Sequence, residues 1–344
     1  MDKFSKQDTS VIKGLAVMML LCHHLGMGIL PAPIDWSANS MYTIIATLCK
    51  VCVALFVLLS GYGINESHKR KADGVSDITF VKKHLIKLMK QFWFIYVIFV
   101  PMGFIFNENP IEIYGKSFTG VINFLLDFFG LKSLFGTQTM NQTWWYMETV
   151  IVLYILFPIL KKLCRKIPII LLAATFVPIV IYSYFCDGSY DNCREVFWIF
   201  PFAVGILLSE HDILNKLSSA MAKHFAPICA ASVAAALAMT AVRSHFGIIA
   251  DTFYAIAIIA ACKATICRIK PLKGFFNSFG IHSANIFMMH SFLYCYFEPV
   301  KQIVFSVNSN IGCYLILLAE CYVVSDYIEI LKKRINSLKI GLSL

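Results

Sequence analysis

Apolar runs of about 20 residues recur along the whole chain and are separated by short polar segments. Such runs predict transmembrane helices near 10–31, 41–64, 86–106, 143–160, 167–186, 194–209, 225–242, 248–266, 279–297 and 308–331. One more apolar stretch, "SFTGVINFLLDFFGLKSLF" at 117–135, is short and carries Asp127. It reads as re-entrant or lying on the outer surface. No internal repeat, low-complexity tract or soluble second domain interrupts the pattern. The expectation is an all-α polytopic bundle of about ten transmembrane helices, forming a single membrane domain over 1–344.

Composition agrees with this pattern. The 344 residues are 58% hydrophobic with a mean hydropathy of +0.71, and only 15% are charged. A water-soluble domain of this length needs more polar surface. Charge then sets the orientation. With both termini cytoplasmic, the 30 Lys and Arg fall inside or at the inner rim except Lys116, Lys132, Arg194, Arg243 and Lys301, with Lys50 inside the second helix. The same asymmetry accounts for the net charge of +10, so no nucleic-acid partner is needed. The first helix follows a polar decapeptide without a small-residue cleavage site and reads as a retained helix. Most of the 12 cysteines lie in helices as small apolar side chains, "CKVC" at 49–52 included. Cys186 and Cys193 flank an outer loop, where a disulfide is open to them in an oxidising exterior.

Ionisable residues within the membrane are expensive and usually face an interior cavity. The first helix, "SVIKGLAVMMLLCHHLGMGIL", holds Lys13, His23 and His24. Lys13 and His24 are eleven residues apart, so they share one face, about 16 Å apart along the axis. His23 is rotated by about 100°. One face therefore carries a cation at the cytoplasmic rim and an imidazole in the outer half. Glu148 in "NQTWWYMETVIVLYILFPIL" and His290 in "FGIHSANIFMMHSFLYCY" fall at a similar depth to His24. A carboxylate beside an imidazole would orient it and raise its basicity, as a general base requires. The bland alternatives are a snorkelling lysine, a protonated core carboxyl and histidines in helix–helix hydrogen bonds. On the inner side, "KKHLIKLMKQFW" places Lys82, Lys83, Lys87 and Lys90 where the third helix begins. Such a cluster fixes topology and touches anionic lipid, and it suits a multiply phosphorylated ligand as well.

Taken in order, these motifs resemble the bacterial integral-membrane acyltransferase family 3, whose members are O-acyltransferases of surface glycans and related acceptors. "IKGLAVMMLLCHH" is similar to the family's basic residue followed eleven positions later by histidine, and "LFVLLSGYGI" to the phrase that ends its second helix. "KKHLIKLMKQFW" looks like its basic third-helix start, "WWYMETVIVLYILFP" like its fourth-helix motif, and "FGIHSANIFMMH" like its ninth-helix pattern. The chain departs from the family in having lysine for arginine at 13 and 87, Ala54 for an acidic residue, and Lys90 where proline is common. Lysine lacks the planar fork of arginine for phosphate.

The resemblance implies an enzyme of the multi-pass plasma-membrane type that moves an acetyl or other acyl group from cytoplasmic acetyl-CoA to a glycan or glycolipid hydroxyl. His24, with Glu148 and His23, is the expected catalytic group. Lys13, Lys87, Lys83, Lys90, Ser60 and Tyr62 are the expected acyl-CoA contacts, and Trp144, His290 and Asn285 the expected acceptor side. No metal or resident cofactor is expected, and a homo-oligomer is left open. Ten helices with buried histidines and a carboxylate would also suit a proton-coupled secondary transporter, although no matching pair of interrupted helices is present.

Overall fold

The computed structural model describes residues 3–27, 40–106, 109–132, 134–185 and 194–341, and among these it contains helices and no strand. The chain runs through α1 (Lys6–Gly26), α2 (Ser40–Cys49), α3 (Cys52–Lys69) and α4 (Asp77–Phe106). Two short helices follow, α5 (Pro110–Tyr114) and α6 (Ser117–Phe128), and then the antiparallel pair α7 (Trp145–Lys166) and α8 (Pro168–Phe185). Next come α9 (Arg194–Glu210), α10 (Ile213–Lys223), α11 (Phe225–Phe246) and α12 (Ile248–Ala264). The chain closes with α13 (Lys270–Ser291), α14 (Glu298–Val304) and α15 (Asn310–Gly341). A helix stands at each of the ten expected places. Among the described residues six spans are long and apolar enough to cross a membrane, or seven if α9 and α10, bent by 60°, are one span. α7, α12 and α13 fall outside that set because α7 and α13 are polar for their length and α12 has only 17 residues. Their polar side chains turn into the bundle.

Several boundaries differ from expectation, four of them with consequences for the site. The second helix is broken at Lys50–Val51, where i→i+3 bonds replace the α-helical ladder. The third begins nine residues early at Asp77, so Lys82, Lys83, Lys87 and Lys90 lie on a helix face rather than partly in a loop. The ninth starts at Lys270 and ends in a π-helical turn, Phe292–Tyr296. The last extends to Gly341. α6 is about 18 Å long, too short to span a hydrocarbon core of about 30 Å. Its buried Asp127 accepts from Tyr114 Oη (2.6 Å), Thr139 Oγ1 (2.6 Å) and the Met140 amide (3.2 Å). That carboxylate ties α5, α6 and the segment before α7 together. Cys186 and Cys193 lie outside the described residues.

Glycines set the closest helix contacts. A Cβ on Gly14 would lie 1.8 Å from Phe276 O, and one on Gly280 would lie 1.8 Å from Ser10 O. α1 and α13 are thus in backbone contact near their middles. Gly61 and Gly205 do the same for α3 and α9, at 2.2 Å from Phe202 O and 2.1 Å from Leu58 O. Lipid tails provide no hydrophobic drive between helices, so close approach through small residues is what holds such pairs. An ion pair, Arg243 Nε–Asp251 Oδ1 at 2.8 Å, is buried between α11 and α12, and Lys263–Asp8 at 2.9 Å joins α12 to the start of α1. Gly280→Ala is expected to force α1 and α13 apart and to cost about 1–3 kcal/mol, read as a lower thermal midpoint of the detergent-solubilised protein. Gly274→Ala on the same helix meets open space and should not lower it.

Candidate active site

The α1–α13 contact fixes the register of two histidines. His24 lies ten residues beyond Gly14 and His290 ten beyond Gly280. Both helices run the same way, so each histidine sits about 15 Å above the glycine contact. The rings meet there, centroids 4.9 Å apart and nearly perpendicular at 84°. His24 is 9% exposed and His290 is fully buried. His290 Nδ1 is held by the carbonyls of Phe287 (2.9 Å) and Ile286 (3.1 Å), so that nitrogen carries the proton and Nε2 is an acceptor. His290 Nε2 and His24 Nδ1 are both buried without a hydrogen-bond partner. Two unpaired ring nitrogens in adjoining imidazoles, deep in an apolar bundle, are costly unless a ligand uses them.

His23 is placed differently. Its ring is 5.6 Å from that of His24, and its Nδ1 donates to Ala46 O at 2.9 Å, tying α1 to α2. Glu148 also holds a backbone group. Its carboxylate accepts the Leu134 amide at 2.5 Å and so holds the segment leading into α7, while the ring standing against His24 is that of His290. Trp144 anchors the same segment: its Nε1 donates to Met288 O at 2.8 Å, and its ring packs on Phe92, Tyr96 and Phe292. Asn285 is set apart from His290, and its Oδ1 accepts from Gln91 Nε2 at 3.4 Å. It lies one and a half turns below His290 and faces α15, donating to Ser325 Oγ (3.0 Å) and Glu329 Oε1 (2.9 Å) and accepting from Lys332 Nζ (2.9 Å).

At the N-terminal end of α1 a cavity of about 520 Å³ opens. Lys6, Lys13, Arg70 and Lys87 line it, with Glu66 as the carboxylate. Glu66 is already engaged by Lys69 Nζ (2.8 Å) and Ser209 Oγ (2.7 Å). Among the described residues none of the four cations has a carboxylate within salt-bridge distance. Ser60 and Tyr62 line the cavity as expected. A second chamber of about 300 Å³ continues from it, sharing Lys13, Ser60, His84, Lys87 and Tyr154. Every lining helix advances in the same sense, from Ser60 to Phe56, from His84 to Gln91, from Tyr154 to Tyr146 and from Gly280 to Met288. The pair of chambers therefore leads from the cationic mouth toward the level of the histidines.

Lys83 and Lys90 are exposed and line neither chamber. The face of α4 that does is His84, Lys87, Leu88 and Gln91, at helical i, i+3, i+4, i+7 spacing. That polar stripe was legible in the sequence, and it singles out His84 and Gln91, which basic-charge counting passes over. His84 is fixed by Phe80 O (2.9 Å) and Ser67 Oγ (3.2 Å). Among the described residues no group of three His, Cys, Asp or Glu side chains could hold a metal ion.

Removing the Glu148 carboxylate leaves the Leu134 amide without that acceptor, at about 1–3 kcal/mol. Glu148→Ala should lower the thermal midpoint and speed hydrogen exchange at Leu134, and Glu148→Gln should recover most of both.

No curated protein and no solved structure matches the chain. The acyltransferase domain of family 3 matches residues 9–329, a span that includes Lys13, His24, Lys87, Glu148 and His290. The chain belongs to this family of membrane acyltransferases.

Proposed function

We propose that the enzyme takes an acyl group, in the first instance acetyl, from acyl-CoA bound on the cytoplasmic side of the plasma membrane. It delivers that group to a hydroxyl of a cell-surface or lipid-linked glycan on the other side. Both termini are then cytoplasmic and the chain crosses ten times, a topology that the lysine and arginine distribution supports. The observation that carries this reading is the pair of adjoining chambers, cationic at one end and leading toward two imidazoles that each keep one ring nitrogen without a hydrogen-bond partner among the described residues.

The roles follow from the lining. Lys6, Lys13, Arg70 and Lys87 offer four unneutralised cations to the phosphates of CoA. Lys13 and Lys87 line both chambers, so an anion bound where the two join is within reach of both. The pantetheine arm occupies the second chamber, where the lining turns from lysine and serine to Phe56, Met147, Val150 and Phe287. His24 is the general base. It takes the proton of the acceptor hydroxyl as the oxygen attacks the thioester carbonyl. The carbon–sulfur bond breaks, and the proton passes on to the departing CoA sulfur. His290, its Nδ1 locked by backbone carbonyls, packs the His24 ring at one angle and presents Nε2 to the same space. Acyl thus crosses the membrane while CoA remains inside.

In inside-out vesicles carrying native glycan acceptor, acetyl-labelled acetyl-CoA added outside should label glycan, and His24→Ala should slow this by roughly 100-fold or more. Labelling at the wild-type rate in His24→Ala would remove His24 from the mechanism. Lys87→Ala is expected to raise KM for acetyl-CoA roughly tenfold with a smaller change in kcat, because its contact is with the unreacting phosphates. A selective loss of kcat would contradict that placement.

A further inference from the structure

Neither histidine is among the residues that line the second chamber. Phe56 of α3, Tyr146 of α7 and Phe287 of α13 form an aromatic wall in its lining. Their ring centroids are 6.3 Å (Phe56–Tyr146), 6.3 Å (Phe56–Phe287) and 4.8 Å (Tyr146–Phe287) apart. The three rings are therefore in mutual contact, each from a different helix. Each is less than a tenth exposed. Behind Phe287, at 6.3 Å, is the ring of His290. Phe287 thus belongs both to the chamber lining and to the surroundings of His290.

The chamber has a polarity gradient toward that wall. Lys13, Ser60, His84 and Lys87 lie where it joins the mouth, while Met147, Val150 and Met288 lie with the three rings. A ligand with a charged head and an apolar tip would enter head outward and tip against the rings. We propose that Phe56, Tyr146 and Phe287 are the acyl-length determinant of the enzyme: the wall admits a short acyl group at the tip of the donor and excludes longer chains. This rests on the reading of the chambers as the acyl-CoA site. Rings are effective stops because they are rigid and are braced by one another across three helices, whereas a single flexible side chain would yield. Extra methylenes on the acyl group then meet filled space, and one methylene too many in a closed apolar pocket is worth about 10–200-fold in discrimination.

The test is binding to the purified full-length protein in lipid nanodiscs, with CoA, acetyl-CoA and hexanoyl-CoA as probes. Phe56→Ala and Phe287→Ala are compared with wild type. Two variants on different helices guard against one of them failing to fold, and each affinity is normalised to that variant's own affinity for CoA. Wild type is expected to bind hexanoyl-CoA at least about tenfold more weakly than acetyl-CoA. Both variants should shift the hexanoyl-to-acetyl ratio toward hexanoyl by a similar factor. If wild type binds hexanoyl-CoA as well as acetyl-CoA, or if CoA binds and neither variant changes the ratio, the wall does not set acyl length and the proposal falls alone. If wild type binds none of the three, the donor-site reading falls and takes this proposal with it.

Discussion

The backbone contact between α1 and α13 is the constraint from which the site follows. Gly14 and Gly280 let two parallel helices touch with no side chain between them. From that point the helical rise alone carries His24 and His290 to one level, where their rings meet. A side chain at either glycine would separate the helices and slide one histidine past the other. The same crossing places Ser10 and Lys13 beside Gly280 at the cavity mouth. One packing event thus positions both the cationic end and the imidazole end of the site.

Electrostatics and burial divide the labour along that axis. At the mouth, cations outnumber carboxylates, and Glu66 is occupied by its own neighbours. Such a surface is poorly satisfied without an anionic ligand. Deeper in, aromatic and aliphatic side chains join the lining and the charged groups are left behind. The histidines beyond have ring nitrogens with nothing to bond. Each zone is incomplete in a different way. A molecule with phosphates at one end, a long polar-to-apolar arm and a reactive carbonyl at the tip would complete the first two and reach toward the third.

Much of the fold was legible in the sequence because hydropathy is a local property. The ten helical places, and the shared face of Lys13 and His24, come from runs and spacings within one segment. What the sequence did not carry was the partner that each side chain finds in another segment. Glu148 matches His24 in depth, but its carboxylate turns to the Leu134 amide because the segment before α7 needs an anchor. Asn285 shares a helix with His290, yet five residues rotate it about 140° away, toward Ser325 and Glu329. Lys83 and Lys90 share a charge cluster with Lys87, but only Lys87 sits on the stripe of α4 that borders the chambers. The break at Lys50–Val51 had no proline or glycine to announce it. The aromatic wall joins three residues far apart in sequence that composition treats as ordinary core.

The central claim is that His24 and His290 act as one unit because α1 and α13 bring them together. The most direct measurement is a double-mutant cycle on glycan acylation, with His24→Ala, His290→Ala and both together at matched protein levels. If the two rings serve one step, the double variant will be about as slow as the slower single variant. If the losses multiply, the histidines act independently, and their contact at the end of the donor chamber is packing and not catalysis.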